Sequence, residues 1–147
     1  MANLAHRQRQ LLFGGALLIL IGLFSGALIP AMSTARSGLA AHLAGVQGGM
    51  LVMLFAFAWP HLDLSAGREK TAFVCTLLSN YVLYAALQLA AVLGTSRSTP
   101  IAGAGNAGTE LQEALVDVLL FVGAGSAIVA LVLIVIGLRP ASARPAA

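Results

Sequence analysis

The stretch LLFGGALLILIGLFSGALI, residues 11–29, runs for 19 residues without a charge and stops at Pro30. At ~1.5 Å of rise per residue, a helix of that length nearly crosses the ~30 Å hydrocarbon core of a bilayer. The whole chain agrees with that stretch. Hydrophobic residues make up 59% of its 147 positions and charged residues 9%, whereas soluble domains carry roughly 25% charge. Mean hydropathy is +0.94. A soluble domain is excluded, and three further apolar runs follow. Residues 39–59 end at Trp59-Pro60, an interfacial aromatic followed by a helix stop. Residues 71–93 end at Gly94, and residues 110–138 open on a polar turn and then stay apolar except for Asp117. The expected fold is all-α, an integral membrane bundle of four transmembrane helices. It forms a single membrane domain over residues 1–147, with no room for a second soluble domain.

The charges set topology rather than nucleic-acid binding. The formal net charge of +3 comes from basic residues scattered between apolar runs. Arg7, Arg9, Arg68, Lys70, Arg139 and Arg144 fall on one side of the predicted membrane, and Arg36 and Arg97 on the other. That bias predicts both termini in the cytoplasm of a cell (inner) membrane. The first run is too long for a signal-peptide core and lacks a small-residue cleavage site, so it is expected to remain as a span. Cys75 is the only cysteine, which excludes an intramolecular disulfide and a cysteine-built zinc or iron–sulfur centre.

Several motifs bear on packing. Gly22-x-x-x-Gly26 and Gly45-x-x-x-Gly49 predict faces where helix backbones approach closely. The segment from Gly103 to Gly108 matches G-x-G-x-x-G but follows a membrane span, not a strand, so nucleotide binding is not expected. Thr109-x-x-Gln112 is a capping box for the fourth helix.

Polar residues inside spans are costly in lipid and mark either helix–helix hydrogen bonds or a site. Thr76, Asn80, Tyr84 and Gln88 recur every four residues along the third helix, and Glu113 and Asp117 share a face of the fourth. Both readings remain open for them. His42 lies just inside the second helix, with Gly45 and Gly49 on about the same face, which would let a flat ligand approach the backbone there. It is either a functional histidine or a satisfied structural one. His6 and His61 are expected in solvent. At ~1.5 Å per residue, His42 lies ~5 Å, Tyr84 ~13 Å and Asn80 ~20 Å below the outer face. Glu113 starts at that same face, so one outer-half pocket is predicted to hold all four.

The segments Ser37-Gly-Leu-Ala-Ala-His42-Leu-Ala-Gly45-Val-Gln-Gly-Gly49-Met, Asn80-x-x-x-Tyr84 and Pro100-Ile-Ala-Gly-Ala-Gly-Asn-Ala-Gly108-Thr-Glu-Leu-Gln112-Glu113-Ala-Leu resemble the hydroxylaminobenzene mutase family of four-helix membrane proteins. Styrene oxide isomerase is similar at greater distance, sharing the helix-borne His and the Asn-x-x-x-Tyr pair. The resemblance covers nearly the whole chain and implies an intramolecular isomerase acting on a small aromatic substrate. It implies haem b with His42 as the iron ligand, Asn80 and Tyr84 near the substrate oxygen, and a homo-oligomer, with a trimer favoured and the haem near the subunit interface. Glu113 would offset cationic character. Ferric iron held on one side by a neutral histidine can act as a Lewis acid on a substrate oxygen. The alternatives are an epoxide isomerase forming aldehydes and a non-catalytic haem-binding membrane subunit. Three positions depart from the related patterns. Gly48 stands where Asn is common, Ala44 where the mutases usually have Glu, and Thr76 where the epoxide isomerase has an acid.

Overall fold

The computed structural model describes residues 2–139, with side chains from Ala5 onward. The long helices are α1 (Ala2–Ala27), α2 (Ala35–Ala58), α3 (Ala66–Leu93) and α5 (Glu110–Gly137), with one turn of helix, α4 (Pro100–Gly103), before α5. All four long helices are long and apolar enough to cross a membrane, and the protein is an integral membrane helical bundle.

The helices start earlier than their apolar runs. α1 begins at Ala2 rather than at residue 11, α2 at Ala35 and α3 at Ala66. Hydropathy marks the part of a helix that lies in hydrocarbon, whereas Arg, Gln, Glu and Lys are good helix formers that extend it into the interface. The ends are set by local chemistry. Pro30 and Pro60 convert the ends of α1 and α2 into short 3₁₀ turns. Gly94 closes α3 at φ 71°, its N–H donating to the Ala90 carbonyl; an L side chain is disfavoured in that left-handed region. The capping box at α5 is present, with Thr109 N–H donating to Gln112 Oε1 at 2.9 Å and Gln112 N–H to Thr109 Oγ1 at 3.4 Å.

Glycines draw α1 and α2 together, as predicted. A Cβ on Gly45 would lie 2.7 Å from the Gly22 Cα, and one on Gly15 would lie 2.6 Å from the Gly49 carbonyl oxygen. α3 completes a three-sided core: the Tyr81 hydroxyl donates to the Gly14 carbonyl at 2.7 Å. α5 packs along α3 and makes no comparable contact with α1 or α2. Its outer side, with Val118, Phe121, Ile128 and Val135, is exposed, as a lipid-facing helix requires.

The two ends of the bundle are tied differently. At the end bearing the α2–α3 turn, Leu11, Val52, Ala56, Trp59 and Ala72 form a buried cluster. There Glu69 accepts from Trp59 Nε1 at 3.1 Å and pairs with Arg7 at 2.9 Å, while Phe73 meets Trp59 edge to face. At the other end, Ser33 Oγ donates to the Val92 carbonyl at 2.7 Å. The segment between α3 and α5 folds over that end, where a Cβ on Gly103 would strike Ser96 and one on Gly108 would strike Thr95. Gly103 and Gly108 of the G-x-G-x-x-G segment therefore serve close approach, whereas Gly105 supplies a left-handed turn at φ 88°.

Candidate active site

His42 leans out of α2 onto α1. Its Nδ1 lies 2.8 Å from the Gly22 carbonyl oxygen. A carbonyl only accepts, so Nδ1 carries the proton and Nε2 keeps its lone pair. A backbone carbonyl fixing the far ring nitrogen is the usual device for orienting a metal-binding histidine. Gly26 makes this placement possible, because a Cβ there would fall 2.5 Å from His42 Nδ1. The second glycine of the α1 motif is thus the seat of the imidazole rather than a contact between backbones. Leu39 and Leu43, both exposed, flank His42 on α2. Contrary to expectation, no ligand can lie along the Gly45–Gly49 face, because α1 and the Tyr84 ring already fill it.

Tyr84 comes from α3 to the same place. Its ring packs on Gly45, where a Cβ would lie 3.0 Å from the ring carbons. Its hydroxyl stands 3.5 Å from the Ile21 carbonyl, next to the carbonyl that holds His42. That distance is at the limit of hydrogen bonding, so the phenol remains available as a donor. Asn80 lies one turn along α3. Its Nδ2 donates to the Thr76 carbonyl at 2.8 Å and contacts Ser79 Oγ at 3.4 Å. Because the Thr76 carbonyl must receive a donor, the amide nitrogen faces it and Oδ1 is left as a free acceptor. That oxygen faces Gly48, where a Cβ would lie 2.9 Å from it. The departure at Gly48 therefore lets the Asn80 amide pack directly on α2, in the space a side chain at position 48 would take, and Ala44 lies one turn away on the same stripe of α2.

Glu113 does not join this group. Its Oε1 accepts from the backbone N–H of Ser96 at 3.0 Å and of Gly108 at 2.9 Å, and its Oε2 accepts from Arg97 N–H at 2.9 Å. The amides just beyond the α3 cap have no helical partner, and the buried carboxylate satisfies them. The single pocket predicted for His42, Tyr84, Asn80 and Glu113 is corrected accordingly: His42 and Tyr84 meet consecutive carbonyls of α1, Asn80 stands one turn along α3 against Gly48, and Glu113 staples the loop. Asp117 is likewise engaged, accepting from Ser98 Oγ and from Arg97 Nε, the latter at 2.7 Å. Arg97 also reaches Glu110 at 3.1 Å, and its hydrogen bond to Asp117 holds its guanidinium above the ordinary arginine range. Farther along the polar stripe, Gln88 Oε1 and Thr76 Oγ1 are buried and have no partner among the described residues. His6 and His61 are exposed. The roles of Gly26 and of the Gly22 carbonyl were not readable from spacing, because a G-x-x-x-G pair looks the same whether it meets a backbone or a ring.

A half-enclosed cavity of about 110 Å³ lies beside Asn80, walled by α3 and by the facing sides of α2 and α5. Among the described residues, no three His, Cys, Asp or Glu side chains gather into a metal centre.

A four-helix membrane protein with a tautomer-fixed imidazole, a phenol and an amide acceptor grouped among its helices has the parts of a small-molecule site rather than of a purely structural subunit. A family model described as styrene oxide isomerase matches residues 7–139, and the chain belongs to that family. It is 40% identical to hydroxylaminobenzene mutase HabB of Ectopseudomonas oleovorans over 144 residues, covering 97% of this chain and 86% of the relative. It is 34% identical to hydroxylaminobenzene mutase HabA of the same organism over 115 residues, covering 78% and 85% respectively. No solved structure matches. The protein is an isomerase.

Proposed function

We infer that the protein rearranges aryl hydroxylamines to aminophenols within the membrane, with both termini in the cytoplasm. The observation that carries this is the His42 Nδ1 contact with the Gly22 carbonyl at 2.8 Å, which leaves Nε2 of the neutral ring as a lone-pair donor, with the Tyr84 hydroxyl at the adjacent Ile21 carbonyl. The printed names of the two relatives support the substrate class.

The donor set fits haem b, with His42 Nε2 as its one protein ligand, in a homo-oligomer for which a trimer is favoured. Bound there, ferric haem supplies a Lewis acid for a substrate oxygen. The chain's own groups do the rest. The Tyr84 hydroxyl donates to the migrating oxygen, and Asn80 Oδ1 accepts from the hydroxylamine N–H or O–H. The surrounding apolar side chains exclude water, which strengthens both contacts and protects a cationic ring from hydrolysis. In the net change the N–O bond breaks, a C–O bond forms on the ring, and the displaced ring proton ends on nitrogen. Substrate and product are isomers, and no electrons are consumed.

The test is anaerobic incubation of purified protein with phenylhydroxylamine and no reductant, which should yield an aminophenol. His42→Ala should abolish both turnover and the haem absorption band while leaving a folded protein. No turnover by haem-replete protein would exclude this function. The description of the matching family model favours a second substrate, so styrene oxide belongs in the same assay; faster conversion of the epoxide to an aldehyde would make that the reaction.

A further inference from the structure

We propose that the cavity where α2, α3 and α5 meet holds the aromatic ring of the substrate and is entered sideways from the hydrocarbon core of the membrane. This rests on the isomerase function inferred above and adds where the ring sits and how it arrives. The cavity measures about 110 Å³. A closed apolar protein cavity of roughly 150 Å³ stays dry and takes up benzene; this one is smaller but open on one side, so it receives part of a single ring and nothing larger.

The wall is mostly apolar, with Leu51 and Phe55 from α2 and Ala127 and Leu131 from α5. Water would find few partners there. Two polar groups break the apolar lining in a useful way. Asn80 belongs to the wall, one turn from Tyr84 along α3, with its Oδ1 turned toward Gly48. Thr76 also belongs to the wall; it is 1% exposed, and its hydroxyl has no hydrogen-bond partner among the described residues. A buried hydroxyl left unpaired is costly, and a polar substituent on a bound ring would satisfy it. Of the wall residues, Leu51 on α2 and Leu131 on α5 are 39% and 45% exposed. Both lie within helices long and apolar enough to cross a membrane, so an opening between them would admit an arene dissolved in the bilayer without its crossing water.

The purified full-length protein should be irradiated with phenyl azide and its labelled peptides mapped. Label should fall on the α2, α3 and α5 segments that contain Leu51, Thr76 and Leu131, and excess aniline should reduce it at least fivefold. Ala127→Leu, which adds three carbons to the wall, should remove it. Label confined to outward positions such as Phe121 and Ile128, or cavity label insensitive to both aniline and Ala127→Leu, overturns the proposal. Leu131→Ala alters only the mouth, at an exposed position that tolerates substitution. It should raise kcat/KM for 4-isopropylphenylhydroxylamine relative to the unsubstituted compound by about tenfold, and an unchanged ratio overturns the entry route. The two inferences fail separately. Cavity labelling without hydroxylamine turnover rejects the reaction and keeps the arene site, whereas turnover with label elsewhere rejects the arene site and keeps the reaction.

Discussion

Replacing Gly26 with alanine tests whether chemistry depends on where one imidazole stands. The added Cβ would lie 2.5 Å from His42 Nδ1 and 2.9 Å from Cε1, closer than carbon tolerates, so the ring must swing away. It then loses its 2.8 Å hydrogen bond to the Gly22 carbonyl, worth about 0.5–1.5 kcal/mol, and leaves its preferred rotamer at a cost of about 0.5–1.5 kcal/mol. Together these amount to about 1–3 kcal/mol of mispositioning, or about fivefold to a hundredfold in rate. The fold suffers less, because alanine in a helix interior is favoured over glycine by about 0.5–1 kcal/mol, which offsets part of the loss. The expected result is a protein that melts near the wild-type temperature but turns over phenylhydroxylamine at least fivefold more slowly and binds haem less tightly. Gly125→Ala is the control, since a Cβ there meets nothing within 4 Å and should leave activity unchanged. Wild-type rates and haem content in Gly26→Ala would refute the role given to His42.

Tyr84→Phe removes the donor proposed to meet the migrating oxygen and should lower kcat about fivefold to a hundredfold, the cost of one lost hydrogen bond of ~1–3 kcal/mol, with the haem spectrum retained. Glu113→Ala strips the acceptor from the amides of Ser96, Arg97 and Gly108; it should lower the thermal midpoint in detergent while kcat per folded molecule stays within about threefold of wild type. Reporter fusions after Gly67 and after Ala147 should read cytoplasmic and one at Ser98 external, because six basic residues against two orient the chain.

Much of the architecture was written in the periodicity of the sequence. An apolar run long enough to span a bilayer has essentially one structural outcome, and Thr109-x-x-Gln112 has one local outcome, so both could be read without coordinates. The site was legible only in part. His42, Asn80 and Tyr84 stand out because polar groups in lipid need partners, and spacing along each helix gave their approximate depth. Which partner each one finds depends on how neighbouring helices are rotated, and one sequence carries no such information. Glu113 shows the difficulty: its depth matched the predicted pocket, yet the unpaired amides after Gly94 are closer and claim both of its oxygens. Gly26 shows the converse. An apparently generic glycine proves necessary because a ring from another helix occupies the space its side chain would fill.

The contact between His42 and Gly22 lies wholly within the α1–α2 hairpin, which leaves the ribosome before α3 and α5. Helices that neighbour one another in sequence are also the main neighbours in space, so each hairpin can close as it is inserted, without waiting for distant segments. The imidazole is therefore oriented by its own hairpin before α3 delivers Tyr84 and Asn80. Biogenesis would then proceed from the half that carries His42 to the half that carries Tyr84 and Asn80, and a chain truncated after α2 would already carry the oriented histidine.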